Sequence, residues 1–264
     1  MKKLDFTNLG SGSAYKEPFL MTLQTRVDTF NGREGKDNTG IDCPFCKNRG
    51  EIAYIGETGS FTVRPCKCFG ARRTVERLQS QGLYERAQRS TLDTYRTDTD
   101  VRKAIKGTVT GFLKDPAPHW LALCGQSGVG KTHVCTAAFV QLSFLRGLNG
   151  RYFLWNSDGR KLKASALNGD DSPINSVKKC ELLYIDDLFK SKRGTDPSDA
   201  DVRLAFEILD YRYNSKLTTI ISSEMTLEDI RDLDFALYRR ISEMCGPYKV
   251  NISYGTDKCF VPED

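Results

Sequence analysis

Residues 125–132 read Gly125-Gln126-Ser127-Gly128-Val129-Gly130-Lys131-Thr132. The stretch fits the pattern G-x-x-x-x-G-K-[ST] at every position. The spelling answers a physical need. Triphosphate oxygens require many donors at short range, and glycines let a backbone turn tightly with its N–H groups pointing inward. The loop then opens a helix, whose N-terminus favours an anion. Lys131 is placed to reach the β- and γ-phosphates of ATP, and the Thr132 hydroxyl to ligate Mg²⁺. The flanks suit the motif: His119 to Cys124 reads as a short buried strand, and Thr132 to Leu145 as a helix apolar almost all round.

A phosphate loop needs an acid for its metal and a group to orient water. Leu182-Leu-Tyr-Ile185-Asp186-Asp187 supplies both. Four apolar residues form a buried strand with two carboxylates at its C-terminal end, where ligands sit in open α/β sheets. Asp186 is assigned to Mg²⁺, through water, and Asp187 to the attacking water. A further β-branched strand, Thr218 to Ser222, ends in Ser223-Glu224. A polar residue there is placed to bond the γ-phosphate or the water; an ordinary strand end is the other reading. Arg239 and Arg240 fall on a helix from Phe235 to Met244. They are either surface arginines or arginines presented to a neighbouring subunit's ATP, where transition-state charge develops.

The segments around these motifs alternate in kind. Tyr152 to Trp155 and Lys249 to Ser253 read as strands, while Ser198-x-x-Asp201 and Thr226-x-x-Asp229 are capping patterns that open helices. Strands alternating with helices predict an α/β fold with a parallel sheet covered on both faces.

Upstream the pattern changes. Gly10-Ser11-Gly12-Ser13 and Asn31-Gly32 punctuate the start, Gly35-Lys36-Asp37-Asn38 reads as loop, and Thr22 to Phe30 as either a short helix or an extended segment. Cys43-x-x-Cys46 and Cys66-x-Cys68 flank a predicted strand–turn–strand over 51–64. Two short cysteine pairs brought together by a hairpin supply the tetrahedron of soft ligands that zinc prefers, with no open position, so the site is structural. An iron–sulfur cluster or unligated thiols are the rival readings. A basic stretch follows, with Arg72, Arg73, Arg77, Arg86 and Arg89, a weak helical stripe and Gly82 as a stop. The expected division is a zinc-binding domain at 1–90 and an ATPase domain at 91–264.

Composition bounds these readings. The chain has 264 residues, 39% hydrophobic and 28% charged, with net charge +5. Those values fit an ordinary globular protein; the charge reads first as a solvated surface and only mildly as a pointer to a polyanionic partner. Nine cysteines, an odd number, argue against a disulfide framework. No run of 18 apolar residues exists, and the start, MKKLDFTNLG, lacks the apolar region of a signal peptide. The expectation is a cytoplasmic protein with no membrane partner.

Taken together, the motifs resemble the AAA+ replicative-helicase loaders of the DnaC/DnaI type, especially phage DnaC-like replication proteins. The matching pieces are Cys43-Pro-Phe-Cys46 with Arg64-Pro-Cys66-Lys-Cys68, Gly125 to Thr132 followed by His133, and Leu182 to Leu188. Downstream come Phe206-Glu-Ile-Leu-Asp-Tyr-Arg212-Tyr, Thr219-Ile-Ile-Ser-Ser-Glu224 and Arg240-Ile-Ser-Glu-Met-Cys245. The resemblance implies an AAA+ ATPase with a reduced or absent lid. It implies binding of ATP, Mg²⁺ and Zn²⁺, with His133 joining the nucleotide loop. It also implies a zinc-bearing N-terminal region that contacts a hexameric helicase, and loading of that helicase onto single-stranded DNA. Self-association would be head to tail, with hydrolysis stimulated by DNA or by assembly. By position, Arg240 matches the arginine finger and Glu224 the first sensor, where many AAA+ proteins carry Asn. The short tail after the last strand leaves no room for a full helical lid. Lys161, Lys163, Lys178 and Lys179 are candidate DNA contacts. Competing functions are an IstB-like AAA+ adaptor for a transposase, against which the cysteine group argues, a small-molecule kinase, and a non-hydrolysing nucleotide-bound scaffold.

Overall fold

The computed structural model describes residues 22–117, 119–190, 195–253 and 255. Gly10–Ser13 and the residues beyond 255 lie outside them. The chain divides into two compact units, Met1–Phe69 and Gly70–Asp264.

In the first unit, helix α1 (Leu23–Gly32) resolves the open reading of Thr22 to Phe30. Thr22 caps it by accepting from the Thr25 N–H at 3.1 Å. The predicted hairpin is present as β1 (Glu51–Ile55) and β2 (Phe61–Pro65), antiparallel with Ala53 opposite Val63. Asn31 of α1 brackets Ala53, donating to its carbonyl and accepting from its N–H. The buried cluster of this unit is Cys43, Cys46 and Cys66, with Ile52 and Cys68 packed against it.

The second unit begins with α2 (Phe69–Ser80), α3 (Tyr84–Arg89) and α4 (Asp100–Lys114). Next come β3 (Trp120–Gly125), α5 (Lys131–Leu145), β4 (Gly150–Leu154), α6 (Trp155–Leu167) and α7 (Ser172–Lys179). It closes with β5 (Leu182–Leu188), α8 (Asp199–Asn214), β6 (Thr218–Ser223), α9 (Leu227–Leu233), α10 (Phe235–Cys245) and β7 (Lys249–Ile252). Strands β3 to β7 form one parallel sheet in the order β4-β5-β6-β3-β7. Both predicted capping boxes, at Ser198 and Thr226, are formed.

The period of two along β3 explains the layers. Trp120, Ala122 and Cys124 join a core with α6 to α10, whereas Leu121 and Leu123 join one with α3, α4 and α5. Helices thus cover both faces, as expected of a parallel sheet.

Two boundaries differ from the sequence reading. The units part at Phe69/Gly70, not near residue 90, because the basic stretch hides an apolar face. Leu78, Leu83 and Ala87 are buried in the core of the second unit, and Gly82, at φ +66°, turns the chain between α2 and α3. Trp155 opens α6 instead of ending a strand, and the Asp158 carboxylate of the first turn reaches back to accept the Leu154 N–H at 3.1 Å.

Arg212 is fully buried (0% exposed), and no carboxylate among the described residues forms a salt bridge with it. Its guanidinium donates instead to the carbonyls of Lys178, Cys180 and Thr218 and to the Thr219 hydroxyl, tying the end of α7 to the start of β6. Cations suit the carbonyl end of a helix. Arg212→Met keeps the bulk but strands those buried acceptors. It is expected to cost on the order of 3 kcal/mol in urea denaturation.

Candidate functional site

The C-terminal edge of the sheet gathers the predicted residues. Gly125, Gly128 and Gly130 all have positive φ, at +104°, +84° and +90°. A Cβ on Gly125 would lie 2.0 Å from the Ile252 carbonyl oxygen, and one on Gly130 would lie 2.7 Å from the Tyr95 ring. Only glycine therefore fits at both ends of the loop. The loop is fastened from both neighbouring strands: Gly125 N–H donates to Met225 O (2.9 Å) and Gln126 N–H to Ile252 O (3.0 Å). The Gln126 side chain accepts from Gly255 N–H at 2.7 Å. Tyr95, which the sequence did not single out, closes the loop from outside, its hydroxyl donating to Val129 O at 2.8 Å.

Lys131 opens α5 behind a glycine N-cap, so Lys131, Thr132 and His133 occupy the first turn, where no preceding helical carbonyl is available to their N–H groups. The Lys131 ammonium is buried and donates to Gly125 O and Gln126 O, both at 2.7 Å. Burial pulls its pKa below the usual lysine range. The His133 ring faces away from the loop residues, its Nε2 meeting Thr91 O at 2.8 Å. The His133 backbone N–H lies in the first turn of α5.

Asp186 is the hub. It is 1% exposed and receives five hydrogen bonds. Oδ1 accepts from Thr132 Oγ1 (3.1 Å), Tyr184 (2.7 Å) and Ser222 (2.6 Å). Oδ2 accepts from Tyr152 (2.9 Å) and Arg86 (3.0 Å). Burial, aided by Asp186, drives the phenols of Tyr152 and Tyr184 up, so both remain protonated donors. The Thr132–Asp186 contact joins the two groups expected to share magnesium, although loop and acid come from β3 and β5, which are not neighbours. Ser222 of the intervening β6, in register with Leu123 of β3, holds both acids, donating to Asp186 and accepting from the Asp187 N–H.

The acids lie within β5 rather than beyond it. Pairing with β6 slips between Ile185 and Leu188, and in this bulge Asp187 takes φ +59°. Its N–H donates to Ser222 Oγ at 3.0 Å. Asp186 is thereby buried, while the Asp187 side chain stays part-exposed. Burial raises the Asp187 pKa, opposed by a hydrogen bond from Lys190. Lys190 also pairs with Glu224, at 3.0 Å.

The remaining candidates lie elsewhere. Arg240 meets α8: its Nε donates to Asp210 at 2.7 Å and its guanidinium lies over the Phe206 ring, while Arg239 is exposed. Lys161, Lys163 and Lys178 are ion-paired with Asp158, Asp201 and Glu207, and Lys179 is exposed.

In the first unit, the sulfurs of Cys43, Cys46, Cys66 and Cys68 all lie within 4.8 Å of one another. Cys43 and Cys66 are 3.8 Å apart, Cys46 and Cys68 3.4 Å. Four Zn–S bonds of about 2.3 Å in a tetrahedron place sulfurs about 3.8 Å apart, so the donor set fits zinc. Lys47, Asn48 and Gly50 have positive φ and shape the first knuckle, where Gly50 N–H points at Cys46 Sγ. The Cys43 thiol is lowered to about 7, chiefly by the Cys46 backbone hydrogen bond, with burial opposing.

With this geometry established, comparison places the chain. The family model for the IstB-like ATP binding protein matches residues 71–234, well over half the length. The chain belongs to the IstB-like ATP-binding proteins. This IstB-like chain is also 30% identical to the phage-like element PBSX protein XkdC of Bacillus subtilis (strain 168), over 82% of its own length and 84% of that protein. The crystal structure of DnaI shares its fold, with TM-score 0.51, 20% identity, and coverage of 67% of this chain and 90% of that one. The DnaC helicase loader aligns with 27% identity and TM-score 0.49, covering 60% and 90%. The AAA+ P-loop fold expected from the motifs is thus present. No helix among the described residues is long and apolar enough to cross a membrane.

Proposed function

We propose that this IstB-like chain hydrolyses ATP and uses it to load a replicative hexameric DNA helicase onto single-stranded DNA. The observation that carries the reading is the four-sulfur cluster in a unit ahead of the ATP-binding core. Four cysteines leave a bound metal no open position, so that unit has no chemistry of its own to perform. Its surface instead carries apolar groups, with Phe45, between the first two cysteines, 73% exposed. An apolar knuckle of this kind suits a protein partner.

In the core, Gly125 to His133 would bind the triphosphate, with Lys131 at the β- and γ-phosphates. The residues present fit magnesium: Thr132 and Asp186 would hold it, and it would supply charge neutralisation at the phosphates. Asp187 would orient the attacking water, Glu224 would sense the γ-phosphate, and Arg240 would serve a neighbouring subunit's ATP. Head-to-tail assembly would bring that arginine into place, so hydrolysis by the isolated chain is slow and rises with DNA or assembly. Cytoplasmic action follows from this reading.

Co-purification with the host's replicative helicase tests it. The expected result is recovery of the helicase with metal and ATP present, and loss of recovery on chelation. Recovery of a transposase and no helicase would replace the reading with the adaptor one.

A further inference from the structure

Beyond the acids, the chain doubles back. Asp187 and Phe189 both lie in the left-handed region, at φ +59° and +63°, a conformation that residues with a Cβ seldom adopt. Lys190 N–H donates to Asp187 O at 2.9 Å and closes the turn. The Phe189 ring is buried edge-on against Trp155, with centroids 5.5 Å apart, which anchors it. The turn carries the Lys190 side chain back over the strand ends. Its ammonium is 3.0 Å from Asp187 Oδ2 and 3.0 Å from Glu224 Oε1. One cation thereby ties the carboxylate on β5 to the carboxylate that follows β6.

An ordinary surface ion pair contributes little and does not call for two left-handed residues. Such strain, held in place by a buried aromatic ring, occurs where a side chain must be aimed. The Asp187 backbone is already fixed by Ser222. Its remaining freedom is the rotation of its carboxylate, and Lys190 is the group that removes it. With Oδ2 taken, the plane of the carboxylate is set and Oδ1 is the oxygen turned to other partners.

We propose that Lys190 is a positioning residue for ATP hydrolysis, holding Asp187 and Glu224 as one unit so that Asp187 meets the attacking water in a fixed orientation. The proposal rests on the ATPase reading above. Lys190 acts through Asp187, so its loss belongs in kcat and not in ATP affinity.

Steady-state kinetics and nucleotide binding on the full chain provide the test. Lys190→Ala is expected to lower kcat by about ten- to a hundredfold, the size of effect that misplaced catalytic groups produce. The Kd for ATP should stay within about twofold, because Lys131 and the loop are untouched. Lys190→Arg should recover much of the rate, since it keeps both ion pairs. Lys190→Met retains the aliphatic stem and should behave like Lys190→Ala, which separates positioning from folding. Combining Lys190→Ala with Glu224→Gln should be no slower than the worse single variant, as expected of residues that act together. An unchanged or raised kcat in Lys190→Ala, or multiplicative effects in the pair, would overturn the proposal alone. A wild-type chain that binds ATP and never turns it over would overturn the ATPase reading and this proposal with it.

Discussion

Asp187→Asn is expected to lower kcat by roughly 10²–10⁴-fold while leaving ATP binding nearly unchanged, a loss of the size general-base groups produce. The substitution is unusually clean here. Asp187 sits at φ +59°, and asparagine is among the few residues that tolerate that region, so the bulge survives. Its N–H still reaches Ser222, and the amide oxygen can still accept from Lys190. What disappears is the negative charge and its capacity to take a proton from water. Single-turnover and binding measurements on the same preparation separate the two effects. An unchanged rate would support a nucleotide-bound scaffold instead.

The pH dependence follows with a definite sign. Burial holds the Asp187 pKa above the usual carboxylate value, with the Lys190 hydrogen bond opposing and Asp186 adding to the rise. On the proposed reading, the ionised form is the one that orients the attacking water. Turnover should therefore fall on acidification at a higher pH than an ordinary aspartate would give, and D187N should lack that limb. Lys190→Ala removes the opposing hydrogen bond and should shift the limb further towards neutrality.

The phosphate loop and the paired acids were legible because their chemistry is local: glycines, a lysine, a hydroxyl and two carboxylates in fixed spelling. Ser222, Lys190, Tyr95, Tyr152 and Arg86 were not, since each enters through tertiary placement. Ser222 reaches both acids only because β6 pairs with β5, a strand order that no local pattern encodes. Tyr152 reaches Asp186 because β4 pairs with β5, setting Leu154 opposite Asp186. Tyr184 was readable in principle, two residues before Asp186 and so on the same face of its strand. Lys190 depends on a turn through two left-handed non-glycine residues, which propensity argues against. The domain boundary was misplaced because charge masked the stripe of Val75, Leu78, Leu83 and Ala87, where packing overrides composition.

Stripping the metal is expected to unfold the first unit outright. Its buried cluster consists of cysteines with Ile52 packed against them; of the other large apolar groups of the hairpin, Phe61 is half-buried against Phe30, and Tyr54, Ile55 and Val63 are exposed. So small an apolar cluster cannot offset the entropy of ordering the segment. In comparable small sites, structural zinc contributes about 10–16 kcal/mol, which then constitutes most of the folding free energy. Chelation, or Cys46→Ser, should therefore open residues 35–69 to protease. The second unit has two extensive apolar cores of its own, one on each face of its sheet, so its thermal transition and its affinity for ATP should not move. Zinc release measured alongside proteolysis gives the stoichiometry, expected at one per chain. Iron–sulfur absorbance in protein purified without oxygen would instead identify a cluster in the same four thiolates. Protease resistance that survives complete metal removal would show that the four sulfurs pack as thiols and hold no structural ion.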